Sequence, residues 1–306
     1  MTQAPPAPSS RTWRQRIDAY ERLVRLDKPI GILLLLWPTL TALWLATSGR
    51  PTLTLVIVFT VGTILMRCAG CALNDWADRD FDAHVQRTSD RPLARGDIEA
   101  WEALVVAAGM AAAAFVLAAY GTNLQTIRLS VLALVIAAAY PFTKRFLAIP
   151  QAFLGIAFSF GIPMAFVAAN GFVPFLGWML FAANLFWVVA YDTEYAMVDR
   201  DDDLRLGLRT SAIAFGRFDV AAVAICYVAY FAGLAWITVV RELGSIYWSG
   251  FGVACLLAIH HLWLIRTRER ARCFRAFLSN HWLGFAVFAG VALDYAVRMH
   301  AWPTVR

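Results

Sequence analysis

Nine runs of about 20 mostly apolar residues, joined by short polar connections, constrain this 306-residue chain more than any other feature. They fall at roughly 30–48, 53–74, 101–120, 126–142, 151–170, 174–196, 212–240, 246–265 and 281–299. Such a run crosses hydrocarbon only as a helix, because lipid offers the backbone no hydrogen-bond partner. Charge agrees, at 16% of residues where a soluble domain carries about a quarter. The expectation is an all-α polytopic membrane protein of nine transmembrane helices. A disordered Pro/Ala/Ser-rich extension is expected over residues 1–12, then a single membrane-embedded domain over 13–306.

Basic residues orient the chain, since cytoplasmic connections carry the excess of Lys and Arg. Of the 27 Lys and Arg, 21 fall on the side of the N-terminus and 5 on the other, with Arg67 inside an apolar run. The N-terminus and both acidic motifs described below are thus expected in the cytoplasm, and the bilayer is an inner membrane, bacterial in preference to mitochondrial. The net charge of +6 serves orientation and attraction to anionic lipid or substrate; no nucleic-acid motif accompanies it. Trp13, Ile17, Tyr20 and Val24 make one apolar face, which suggests a helix lying on the membrane surface, with a solvated linker as the alternative. The first apolar run comes late and is long enough to span, so no cleaved signal peptide is expected.

Two acidic clusters sit at the ends of apolar runs: Asn74 to Asp82, and Asp192 to Asp203. Carboxylates are costly where a helix meets lipid, which makes them functional candidates. If the first helix continues through its motif, Asn74, Asp78 and Asp82 span about 80° of one face. Asp192, Asp199 and Asp203 fall within about 40° by the same count. Two such stripes repel unless they share a hard cation, and magnesium suits them because it completes its octahedron with water and phosphate oxygens. The pattern looks like a diphosphate clamp; a solvated charge run in a loop is the plainer alternative.

A diphosphate also needs cations. Arg87 and Arg91 follow the first cluster, and Tyr140-Pro141-Phe142-Thr143-Lys144-Arg145 closes the fourth run. Forked guanidinium bonds suit phosphate oxygens, although either group could serve orientation alone. Arg67 lies seven residues before Asn74, on the same face and about 10 Å deeper. A buried Arg needs an anion, either a substrate carboxylate or one of the chain's own acids. Cys68 and Cys71 read as small packing residues, and His260-His261 as an interfacial pair.

N-D-x-x-D-x-x-x-D at Asn74, Asp75, Asp78 and Asp82, followed by R-T-x-x-R-P-L at Arg87–Leu93, resembles the first motif of the UbiA superfamily of intramembrane aromatic prenyltransferases. Y-D-T-x-Y-A-M-V-D-R-D-D-D at Tyr191–Asp203, R-L-D-K-P-I-G at Arg25–Gly31 and L-L-L-L-W-P-T at Leu33–Thr39 are similar to its branch acting on 4-hydroxybenzoate. The resemblance covers the chain from about Arg22 to the last run.

It implies a helical bundle around a central cavity, capped by the two aspartate motifs. The implied reaction transfers a polyprenyl chain from its diphosphate to the ring carbon ortho to the hydroxyl of 4-hydroxybenzoate, an early step of ubiquinone biosynthesis, with magnesium. By position, Asn74, Asp78 and Asp82 hold one metal and Asp199 and Asp203 another. Asp75, Asp78, Asp192 and Asp199 form the catalytic set. Arg25, Arg87, Arg91, Tyr140, Lys144 and Arg145 bind diphosphate, and Arg67 binds the acceptor. Related branches use haem, a naphthoate or a chlorophyllide, and a cation-coupled transporter would be the other class to place carboxylates in membrane helices.

Overall fold

The computed structural model describes residues 12–143 and 145–301. The expected N-terminal extension lies outside them apart from Thr12, and Lys144 lies outside them too. Among the described residues the chain is helical, without a strand. The helices are α1 (Trp13–Leu23), α2 (Ile30–Ala46), α3 (Leu53–Asp82), α4 (Ala100–Gly121), α5 (Leu124–Thr143) and α6 (Pro150–Ser159). They continue with α7 (Gly161–Asn170), α8 (Phe175–Leu206), α9 (Ser211–Phe215), α10 (Asp219–Arg241), α11 (Ser245–Ile265) and α12 (Arg270–Ala301).

Eight segments of the described residues are long and apolar enough to cross a membrane. The expected ninth, α2, has 17 residues and reaches about 26 Å at 1.5 Å per residue, short of a core about 30 Å thick. By length, then, nine becomes eight plus a shorter helix. Most of α2 is buried, walled by α3, α7 and α12, so protein and not lipid sets its length. The run at 151–170 is two helices meeting at Phe160. Pro163 is tolerated there because it stands in the first turn of α7, where its missing N–H is no loss. The run at 212–240 likewise breaks into α9, a short turn and α10.

Two helices matter most for the site. Each of α3, with 30 residues, and α8, with 32, carries an apolar segment and then its acidic motif without interruption. The condition behind the acidic stripes is met. α8 stops at Gly207, whose φ of +67° suits a residue without Cβ, and whose N–H returns to the Asp203 and Leu204 carbonyls.

The face of α8 turned away from the cavity carries a polar network. Trp187 stacks on Tyr230 with centroids 5.5 Å apart and donates to Asn280 Oδ1 at 3.0 Å. The Tyr227 hydroxyl lies 2.9 Å from Glu194 Oε1, 3.0 Å from Asn280 Oδ1 and 3.0 Å from His261 Nδ1. Asn280 Nδ2 donates to Glu194 Oε2 at 2.8 Å. This network ties α8 to α10, α11 and α12. It also corrects the interfacial reading of the histidine pair: His260 is exposed, whereas His261 is fully buried in the network. On the outer faces the pattern inverts, with Val228, Leu256 and Ile259 exposed, as a lipid-facing surface requires.

α1 forms as expected, with Thr12 and Gln15 closing a capping box. Its expected apolar face divides, however. Trp13 and Ile17 point outward, while Ala19 and Leu23 bury against Ala72, Ala103 and Ala107. The ion pair of Arg16 with Glu102, and the Tyr20 hydroxyl donating to the same carboxylate, set this rotation.

Candidate active site

α2 to α8, α12 and the loop after α3 enclose a cavity of about 750 Å³. Arg25, Asn74, Asp75, Asp78, Asp82, Arg87, Arg91, Asp199 and Asp203 line its mouth, with Arg67, Tyr140, Tyr191 and Asp192 in the same wall. Toward the other end it turns apolar, past Val58, Phe59, Ala114, Phe115 and Leu134. Arg145 is not brought there. It lies beyond the end of α5, exposed, donating to the Ala77 carbonyl at 3.3 Å from outside the cavity wall.

The mouth is built by the loop after α3 folding back on that helix. Thr88 donates to the Asp82 carbonyl at 2.8 Å and so tethers the loop. Arg87 and Arg91 then come over the opening. Arg87 holds Asp199 with a fork, Nε at 2.9 Å and Nη2 at 2.7 Å from Oδ2, while its guanidinium covers the Tyr195 ring at 4.3 Å. Arg91 bridges Asp82 at 2.7 Å and Asp75 at 3.1 Å. Arg25 donates to both oxygens of Asp75 at 2.8 and 3.0 Å. On the α3 stripe, Asn74 Nδ2 donates to Asp78 Oδ2 at 3.2 Å.

Electrostatics follow from that crowding. Burial lifts the Asp82 carboxyl above its ordinary value, outweighing the opposing pull of Arg91. Burial works against the charge of Arg91 too, but Asp75 and Asp82 outweigh it and raise that group. Asp75, only 1% exposed between two arginines, has the surroundings of a residue that positions Arg25 and Arg91.

Carboxylates and an amide from two helices facing one cavity are hard oxygen donors. No three His, Cys, Asp or Glu side chains among the described residues form a closed metal cage. Magnesium seldom uses one: it keeps several waters and takes one or two carboxylates plus substrate phosphates. The donor set therefore fits a metal arriving with a diphosphate.

Deeper in the wall the situation reverses. Arg67 lies over the Phe158 ring at 5.5 Å, and its Nε is buried without a hydrogen-bond partner. Among the described residues no acid pairs with it, so the salt-bridge alternative for Arg67 finds no support. A Cβ on Gly31 would come within 2.6 Å of Arg67 Nε and Nη2, so glycine at the start of α2 leaves room for that guanidinium where it now lies. The hydroxyl of Tyr191, a residue 1% exposed, also lacks a partner. Leaving such a group unsatisfied costs about 1–3 kcal/mol. Trp37, Asn184 and Arg241 hold the remaining orphaned atoms, and none of them lines the cavity. Tyr191, Tyr195 and Gly31 are thus the site residues that motif reading passed over. All three stand inside the motifs, but only as letters beside the charged ones.

A helical bundle in the membrane whose cavity is guarded by two aspartate motifs defines a class of prenyl-transferring enzymes, and residues 35–288 match the UbiA prenyltransferase family. The chain belongs to that family and is an integral membrane protein. It is 58% identical over 287 residues to the 4-hydroxybenzoate octaprenyltransferase of Nitrosospira multiformis, covering 94% of this chain and 99% of the relative. The 4-hydroxybenzoate octaprenyltransferase of Paraburkholderia phytofirmans is 59% identical over 281 residues, covering 92% and 98%. The apo UbiA homologue of Aeropyrum pernix K1 superposes with a TM-score of 0.75 at 28% identity, covering 88% of this chain and 98% of that one. A homologue from Archaeoglobus fulgidus bound to GPP and Mg2+ shares the fold, with a TM-score of 0.67 at 18% identity over 88% of this chain and 99% of that one.

Proposed function

We propose that this protein transfers a polyprenyl group from polyprenyl diphosphate to the ring carbon ortho to the hydroxyl of 4-hydroxybenzoate, an early step of ubiquinone biosynthesis. One observation carries the reading: a single cavity joins a mouth of acids and arginines to an unpaired Arg67 deeper in the wall and an apolar far end. These are the three chemistries of a diphosphate, a benzoate and an isoprenoid tail. The names of the relatives at 58% and 59% identity supply the acceptor.

Asn74, Asp78 and Asp82 on α3, with Asp199 and Asp203 on α8, would hold magnesium. The metal, when bound, neutralises charge on the leaving diphosphate. Arg25, Arg87 and Arg91 exchange their present carboxylate partners for phosphate oxygens, with Tyr140 in the same cavity wall; Lys144, outside the described residues, is assigned to the diphosphate by its motif alone. The C1–O bond of the allylic diphosphate breaks and its electron pair leaves with the diphosphate. The electron-rich phenol ring forms the new C–C bond at C1. The ring then loses a proton, which Asp192, in the wall beside Tyr191, accepts. Apolar walls around the far part of the cavity limit the water that could hydrolyse the allylic cation. The active end faces the cytoplasm of a bacterial inner membrane, by the distribution of Lys and Arg.

The test is product analysis by mass spectrometry. Purified protein in lipid nanodiscs receives 4-hydroxybenzoate, prenyl diphosphates of increasing length, and either magnesium or a chelator. Prenylated 4-hydroxybenzoate and free diphosphate are expected only with the metal. Product from a naphthoate or haem, and none from 4-hydroxybenzoate, would reject the acceptor.

A further inference from the structure

Tyr191 and Arg67 sit on facing helices, α8 and α3, in the wall of one cavity, and each carries a buried polar atom without a partner, the Tyr191 hydroxyl and Arg67 Nε. Neither side chain is free to look elsewhere. The Tyr191 ring is wedged against Trp187, centroids 5.3 Å apart at 82°, and against Phe277 at 6.3 Å. Arg67 is confined between Gly31 and the Phe158 ring. The two groups lie within electrostatic range of each other. Two rigid donors aimed at one space, both unsatisfied, describe a seat prepared for oxygens that the chain itself does not supply.

Resting on the proposed use of 4-hydroxybenzoate, we infer that the Tyr191 hydroxyl is a second donor to the acceptor's carboxylate and, with Arg67, makes the protein select a benzoate over a neutral phenol. Arg67 alone would accept any anion. A hydroxyl held at a fixed place beside it adds a direction, and a planar carboxylate has a second oxygen to meet it. The acceptor's own phenol must lie at its other end, toward the mouth, because the carbon alkylated is ortho to that hydroxyl and must reach C1 of the diphosphate. The carboxylate end therefore falls at the level of Arg67 and Tyr191. Rejection of an acceptor without oxygens then follows from leaving both donors buried and empty.

The experiment uses Tyr191→Phe, which keeps the ring and its packing, with 4-hydroxybenzoate and 4-methylphenol as alternative acceptors. KM for 4-hydroxybenzoate should rise about tenfold, the loss of one hydrogen bond. KM for the prenyl diphosphate should stay within about twofold, which also reports that the variant is folded. Turnover of 4-methylphenol should not fall with the substitution, because that acceptor leaves the hydroxyl empty. Unaltered 4-hydroxybenzoate kinetics in Tyr191→Phe, or equal losses with both acceptors, would overturn the seat while leaving the functional reading intact. Wild-type protein that never prenylates 4-hydroxybenzoate overturns the functional reading and takes the seat with it.

Discussion

At the mouth of the cavity Arg25, Arg87 and Arg91 face inward already held by carboxylates, whereas deeper in the same wall Arg67 and Tyr191 face inward holding nothing. The two regions line one space, yet they are prepared for guests in different ways. At the mouth a charged guest must exchange partners with groups that neutralise one another in its absence. Deeper in, the guest supplies what is missing. Pairing at the mouth is therefore shared between folding and catalysis, while the deeper groups weaken the fold unless occupied. A substitution at the mouth should register in both stability and activity. One in the deeper wall should lower activity without lowering stability.

The largest effect should come from Asp199→Ala or Asp78→Ala, each of which removes an oxygen donor from the metal clamp. Turnover should fall at least about a thousandfold, with the protein still inserted and helical by circular dichroism. Near-wild-type rates in both variants would leave the mouth without its metal role.

Arg67→Ala comes next, at roughly 2–5 kcal/mol of acceptor binding, in line with breaking a buried charge pair. The thermal midpoint should not fall, because no internal partner is abandoned. Repeating the measurement with an uncharged acceptor completes a double cycle, and a coupling close to zero would return Arg67 to a packing role. A lowered midpoint would break the contrast between the two regions.

Arg87→Ala should cost about 1.5–3 kcal/mol in the use of prenyl diphosphate, the range for hydrogen bonds to charged groups. Acceptor KM should hardly move. Unlike Arg67→Ala, this variant should also melt earlier, since Asp199 loses its fork. A change confined to acceptor KM would remove Arg87 from the phosphate site.

The smallest effect sharpens the comparison. Gly31→Ala removes no polar contact, but its Cβ would meet Arg67 Nε at 2.6 Å. Displacing that guanidinium should raise acceptor KM about fivefold, or roughly 1 kcal/mol, at the lower end of overpacking costs. Equal effects on both substrates would show that the glycine serves the helix and not the arginine.

Much of the bundle was legible because lipid leaves the backbone one solution per apolar run. The acidic stripes were legible because helical periodicity places Asn74, Asp78 and Asp82 together once α3 is known to continue. α2 was harder: its length is set by neighbours that bury it, and Phe160 breaks a run in which Gly155, Gly161 and Pro163 are the only signs of interruption. Arg145 and His261 were misplaced for a related reason. Each sits in a segment whose polarity suggested its depth, but a turn in one case and a partner network from α8, α10 and α12 in the other decided where it points.

The sequence by itself determined that this is a membrane bundle with two acid motifs at one end and an arginine inside, since hydropathy and period are properties of one helix at a time. Only the tertiary structure decided which arginine holds which carboxylate, that Gly31 makes room for Arg67, and that Tyr191 is left without a partner. Those outcomes depend on distances between helices far apart in the chain. Two groups 124 positions apart, at 67 and 191, become neighbours only when α3 and α8 close around the same cavity.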